Sequence, residues 1–141
     1  MNINEIEEMW KIDSQIDPDN LHEEALRIPQ LHGKYHEMQN KTYIKKKLKE
    51  SEYNTLYAEK THYYLGKSDP HVYIEKPFGH RIIKADLPIY LNSDEELVKL
   101  KTQVEYLGFV MSYLTDILKM IHNRSFQIRD SIEWSKFIAG Q

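Results

Sequence analysis

Apolar positions follow the helical period most clearly between Ser93 and Asn123. There Leu97, Leu100, Val104, Leu107, Met111, Leu114, Leu118 and Ile121 are separated alternately by three and four residues, a heptad seam sustained over about four repeats. A parallel row of Tyr106, Val110, Tyr113, Ile117 and Met120 keeps the same spacing beside it. The apolar face is therefore wider than a two-stranded seam needs, and the helix requires two partners. A closed intramolecular bundle satisfies both rows. Contact with copies of the same chain also satisfies them, and it is the favoured alternative because the long helix expected upstream is poor in apolar residues. A heterologous contact of that kind closes into a ring when the rotation allows.

Upstream, a short amphipathic helix is expected over Asn4 to Ile12, ending before Asp17-Pro18. Asp19 or Asn20 then caps a long second helix reaching Gly66, with a kink or break expected near Pro29 and Gly33. From Thr42 to Tyr57 its apolar residues are chiefly Tyr43, Ile44, Leu48, Tyr53, Leu56 and Tyr57, too few for deep burial. Gly66, Pro70, Pro77, Gly79 and Pro88 punctuate the next segment. Its runs "HVYIEK" and "HRIIKADL" have the β-branched and aromatic content of an irregular β-hairpin around a Pro-Phe-Gly turn. Ser93 and Glu96 have the spacing of a capping box at the start of the heptad helix. The last stretch, "SFQIRDSIEWSKFIAGQ", reads as a short helix folding back on the long one through Phe126, Ile128, Ile132, Trp134, Phe137 and Ile138.

The fold class predicted is mainly α: long helices with a small β-hairpin insertion, and a C-terminal heptad helix driving a ring-shaped homo-oligomer. Three regions are expected: a basic helical region (1–67), a hairpin connector (68–92) and an oligomerisation region (93–141). At 141 residues the chain has room for one modest core. Charged residues form 29% and hydrophobic ones 40%, an ordinary folded composition.

Charge changes the picture more than composition does. The formal net charge of -3 conceals an uneven distribution. Residues 1–30 carry Glu5, Glu7, Glu8, Asp13, Asp17, Asp19, Glu23 and Glu24 against Lys11 and Arg27, whereas residues 34–67 carry Lys34, Lys41, Lys45, Lys46, Lys47, Lys49, Lys60 and Lys67 against four glutamates. Tyr53, Tyr57, Lys60, Tyr64 and Lys67 fall on one helix stripe, extended towards the N-terminus by Lys46 and Lys49. Lysines attract phosphates and tyrosine rings stack on unpaired bases, as in sequence-tolerant single-strand binders. The alternative is that the tyrosines pack against the hairpin while the lysines solvate the outside. If the stripe is a binding surface, Tyr63 anchors the helix end, Tyr64 makes the contact and Gly66 stops the helix.

Other chemistries find little support. The chain has no Cys, which excludes disulfides, Cys-ligated zinc and thiol catalysis. Its isolated glycines form neither a P-loop nor a GxGxxG turn. "HEEAL" at His22 lacks the second histidine of HExxH, and His32 and His36 offer two metal ligands without a third. No carboxylate pair stands out as acid and base, so no enzymatic activity, metal or other cofactor is expected. The acidic "MNINEIEEMW" lacks the features of a signal peptide, and no apolar run spans a bilayer; a cytosolic protein is expected.

The lysine and tyrosine stripe lies within a wider pattern that resembles the UvsY recombination mediators of tailed, T4-like bacteriophages. The matching pieces are "KTHYYLG" at Lys60 to Gly66, "EK" at Glu75 and Lys76, and the C-terminal pattern Ile121, Arg124, Phe126, Ile128, Phe137, Ala139 and Gly140. The likeness implies a mostly helical subunit in a homo-oligomeric ring of about six or seven copies. It also implies binding to single-stranded DNA, contact with a recombinase and a single-strand-binding protein, and action in the cytoplasm of the infected host cell. Family members carry a basic pair before the tyrosines; here Lys60 fills the second position, but Ala58 stands at the first. The rival expectation is a coiled-coil interaction adaptor without direct nucleic-acid binding.

Overall fold

The computed structural model describes residues 1–140, and among them every regular element is helical. Helices α1 (Ile3–Asp13), α2 (Leu21–Tyr64) and α3 (Pro70–Glu75) are followed by a 3-10 turn (Lys84–Asp86), then α4 (Leu87–Ser93) and α5 (Glu95–Ile138). The chain divides into two compact units, one of residues 1–43 and 109–141 and the other of residues 44–108. The two long helices, α2 and α5, each of 44 residues, contribute to both.

In the first unit, α1 begins with a capping box. The Glu5 amide donates to the Asn2 side chain, and the Asn2 amide donates to the Glu5 carboxylate, both at 3.0 Å. The core joins Ile6 of α1 and Leu31 and Tyr35 of α2 to Val110, Leu114, Ile117 and Ile121 of α5. Trp10 meets the Tyr35 ring edge-on at 5.4 Å between centroids.

A polar cluster sits within this unit. Arg124, buried on α5, donates to the carbonyls of Asp13, Ser14 and Gln15 at 3.1, 3.3 and 2.8 Å, and to Glu24 Oε2 at 2.7 Å. It thereby satisfies carbonyls that the end of α1 leaves without partners. Asp13 in turn accepts from Arg27, Lys34 and Tyr35 at 3.0, 2.6 and 2.8 Å. Burial pushes the Asp13 carboxyl up, but these hydrogen bonds and charges outweigh it and hold the group below the usual aspartate range.

Two expectations about helix ends are corrected here. α2 is not broken at Pro29 or Gly33 but runs through both. Proline removes one donor, so the Ala25 carbonyl loses its helical partner. The same stretch buries Leu31 and part of Ile28 and continues to the buried Tyr35, so packing outweighs the local defect. Nor does the C-terminal stretch fold back: α5 continues to Ile138, leaving Trp134, Phe137 and Ile138 exposed. Only Ile128 of the expected contacts is buried.

The second unit holds the largest departure from expectation. No strand forms among the described residues. "HVYIE" belongs to α3, where Asp69 is the cap residue and Pro70 supplies a pre-set first helical position. Pro88 takes the second position of α4, where its missing donor would have no helical partner in any case. A lone two-stranded hairpin is marginal in water, and the aromatic rings of this segment find a better site on the end of α2. Phe78 packs against Tyr63, Tyr64 and Tyr90 at 5.5, 5.1 and 5.6 Å between centroids, and Tyr73 stacks on Tyr63 at 5.5 Å. α2 stops at Gly66, as its sequence requires. With φ at +76°, Gly66 donates to Tyr63 O at 3.1 Å, and Lys67 donates to His62 O at 2.8 Å, the paired bonds of a Schellman ending.

The cap of α5 is also displaced from the expected residue. Ser93 ends α4 and its hydroxyl turns back to the Ile89 carbonyl at 2.7 Å. The cap is Asp94, whose Oδ1 accepts from the Leu97 amide at 3.0 Å.

Candidate nucleic-acid interface

The two lysine groups of α2 behave differently. Lys45 is exposed and forms no ion pair among the described residues, whereas Lys46 and Lys47 both reach Glu50, at 3.2 and 3.3 Å, and Lys49 reaches Glu52 at 3.2 Å. These are short-range helix pairs at a partly exposed surface. Such pairs contribute little and are readily exchanged for another anion. The stem of Lys46 passes beside Gly108.

Lys60 has a more enclosed position. Its side chain is 14% exposed, and its Nζ lies 3.2 Å from Asp94 Oδ2 and 3.5 Å from Glu96 Oε1. Glu96 Oε1 also accepts from Lys76 Nζ at 3.0 Å. Asp94 is the fixed point of this group, because it caps Leu97 and accepts from the Tyr64 hydroxyl at 2.6 Å. Burial raises the Asp94 carboxyl, but the bonds from Tyr64, Leu97 and Lys60 overcome it and keep the group below the normal aspartate range. The same burial and the Asp94 charge push the Tyr64 hydroxyl up.

The expected division between the two tyrosines is therefore corrected. Tyr64 does not project from the stripe: its hydroxyl is held by Asp94 and its ring by Tyr63, Phe78 and Tyr90. Tyr63 is an anchor as expected, donating to the Lys76 carbonyl at 2.9 Å. Both rings serve the fold. Tyr57 remains exposed on α2, tilted against Tyr53 at 6.0 Å.

Lys67 is exposed just beyond the glycine stop. It borders a cleft of about 460 Å³ together with Lys60, His62, Tyr63, Lys76 and Glu96. Arg81 and Lys84 are further exposed cations of this unit. Asp94, Glu96 and Lys76 are the participants that sequence reading missed. The acidic run after Ser93 and the "EK" at Glu75 and Lys76 were visible, but no local rule links them to a lysine more than a dozen residues away.

The heptad residues are also sorted by burial. Leu97, Leu107, Leu114 and Ile121 are buried inside this single chain, and Leu114 has no exposed surface at all. Leu100, Val104, Met111 and Leu118 are half-buried beside them. From Leu107 the buried stripe combines both expected rows: Leu107, Val110, Leu114, Ile117 and Ile121, continuing to Arg124 and Ile128. The four buried residues cannot also face another copy, so for them the intramolecular alternative holds. The apolar residues of α5 that remain open are others, among them Phe109, Met120, Trp134, Phe137 and Ile138.

His32 and His36 stack on one another at 5.5 Å, and no group of three or more potential metal ligands occurs among the described residues. No helix among those residues is long and apolar enough to cross a membrane.

Comparison with known proteins places this arrangement. The profile of a family described as recombination, repair and ssDNA-binding protein UvsY matches residues 9–141. The recombination protein uvsY of Enterobacteria phage T4 is 26% identical over 143 residues, covering all of both chains. Two crystal structures of the bacteriophage T4 recombination mediator protein UvsY share the fold. The lattice type II form has a TM-score of 0.88 at 23% identity over 99% of this chain and 98% of that one. The lattice type I form has a TM-score of 0.86 at 22% identity over 94% and 98%. With the family profile spanning nearly the whole chain and the fold shared from end to end, this chain belongs to the UvsY family.

Proposed function

We propose that the chain is a non-enzymatic recombination mediator, acting in the cytoplasm of the infected bacterial host. It binds single-stranded DNA and promotes loading of a UvsX-type recombinase onto DNA covered by single-strand-binding protein. The observation that carries this reading is family membership over residues 9–141. Exposed Lys45 and Lys67, and the surface-paired Lys46, Lys47 and Lys49, are the groups that meet phosphates. Lys60 borders the same cleft as Lys67. With Tyr64 engaged in packing, the exposed ring of Tyr57 is the better platform for a base.

A few lysines per subunit bind a single strand weakly, since each phosphate contact adds only about 0.7 to the salt slope. A ring of about six or seven subunits makes one strand's contacts intramolecular and multiplies them. The open apolar residues of α5 beyond the chain's own core, Phe109, Met120, Trp134 and Phe137, supply the surface between copies.

Fluorescence anisotropy with an oligothymidine across a series of salt concentrations tests the DNA reading. Affinity should fall steeply with salt, and Lys45→Glu combined with Lys67→Glu should weaken binding at least tenfold and flatten the slope. Salt-independent or absent binding would favour the adaptor reading, in which the lysines only solvate the helix. For the mediator step, recombinase assembly on DNA pre-coated with single-strand-binding protein should accelerate when this protein is added; no acceleration would defeat that part.

A further inference from the structure

Two of the lysines bordering the cleft converge on one exposed oxygen. Glu96 Oε1 lies 3.0 Å from Lys76 Nζ and 3.5 Å from Lys60 Nζ. The Lys60 ammonium also lies 5.7 Å from the centre of the Tyr63 ring. An anionic oxygen held between two ammonium groups is the arrangement that a nucleic-acid phosphate would adopt in the same place. We propose that Lys60 and Lys76 form a seat for one backbone phosphate of single-stranded DNA, and that Glu96 is an internal plug that occupies it until the strand displaces it.

The inference rests on the DNA-binding reading above, and it adds Lys76 as a contact residue and Glu96 as a brake. The two acidic partners of Lys60 differ in the way such a device needs. Asp94 is fixed by Tyr64 and the Leu97 amide, its side chain only 6% exposed. Glu96 is 51% exposed and Lys76 64%, so Glu96 can swing into water while Asp94 keeps Lys60 in position. An exposed ion pair of this kind is weak, and a phosphate from a polyanion held elsewhere on the protein competes with it readily. Held by Asp94, the Lys60 side chain is already ordered when the phosphate arrives.

The experiment measures oligothymidine affinity by anisotropy over a salt series for the full chain. It compares the wild type with Glu96→Gln, Lys76→Gln, Glu96→Gln combined with Lys76→Gln, and Glu105→Gln. Glu105 is an exposed glutamate that pairs with neither lysine, so its variant carries the same change of net charge. Glu96→Gln should bind about two- to fivefold tighter, the scale of one exposed ion pair. Lys76→Gln should weaken binding, and in the combined variant the gain from Glu96→Gln should vanish. Thermal unfolding and sedimentation confirm that each variant is folded and assembled as the wild type is. If the wild type binds but Glu96→Gln gains nothing, or gains no more than Glu105→Gln, the plug is wrong and the DNA reading stands. If no variant binds in a salt-dependent way, both are overturned.

Discussion

At the scale of single residues, charged groups in this protein are used as structural ties. Arg124 closes the end of α1 through three carbonyls and is balanced by Glu24. Asp94 binds a backbone amide, a phenol and an ammonium at once. Asp94→Asn should therefore cost about 1–3 kcal/mol at neutral pH, because the hydroxyl and ammonium lose a charged acceptor. The sign with pH follows from the direction of the shift. The folded carboxyl lies below its ordinary value of 3.8, so its contribution is present above that value and is lost as pH falls through the lowered range. Urea midpoints of wild type and Asp94→Asn should differ at pH 7 and draw together as pH falls below 3.8; a constant difference would disprove the linkage. The charge runs of the basic helix were legible in the sequence, but the pairing of Lys60 with Asp94 was not, since it depends on an approach between helix ends that no spacing rule encodes.

At the scale of elements, short-range rules held at the end of α2 and failed at the start of α5, where Asp94 and not Ser93 is the cap. The glycine stop of α2 follows from a short-range rule, and Gly66→Ala should cost about 1 kcal/mol because its left-handed conformation strains any residue with a Cβ. Within elements, tertiary contacts overrode the same rules. Pro29 lies exposed in the interior of an unbroken α2, so Pro29→Ala should restore a helical bond to the Ala25 carbonyl. A gain of about 1–3 kcal/mol in urea unfolding is expected; a loss would mean that the proline is needed for the helix's course. The hairpin expectation failed for a related reason. Val72, Tyr73 and Ile74 have strand-like composition, but strand composition mostly reports packing on a sheet surface, and here there is no sheet to pack on.

At the scale of the whole molecule, the wide apolar face of α5 was legible, and its allocation was not. Leu114 belongs to the core of one unit together with Ile6, Leu31 and Tyr35, whereas Trp134 and Phe137 are 62% and 72% exposed. Leu114→Asp should unfold the chain, with loss of its helical circular dichroism, because a carboxylate buried there has no partner. Trp134→Asp combined with Phe137→Asp should keep the helical signal and shift the sedimenting mass towards the monomer. If the second variant stays fully assembled, the contact between copies lies elsewhere.

The sequence by itself determined the helical class, the two long helices, the basic stretch of α2, the glycine stop and the family. Each of these is written in residues close to one another or in a repeating period. Only the tertiary structure decided which heptad residues the chain keeps for its own core, that α2 and α5 run unbroken, and that Tyr64 and Lys60 are tied to Asp94. Those outcomes depend on contacts between segments far apart in sequence. A periodic pattern says that a face must be covered; what covers it is settled by competition among all the surfaces the folded chain brings within reach.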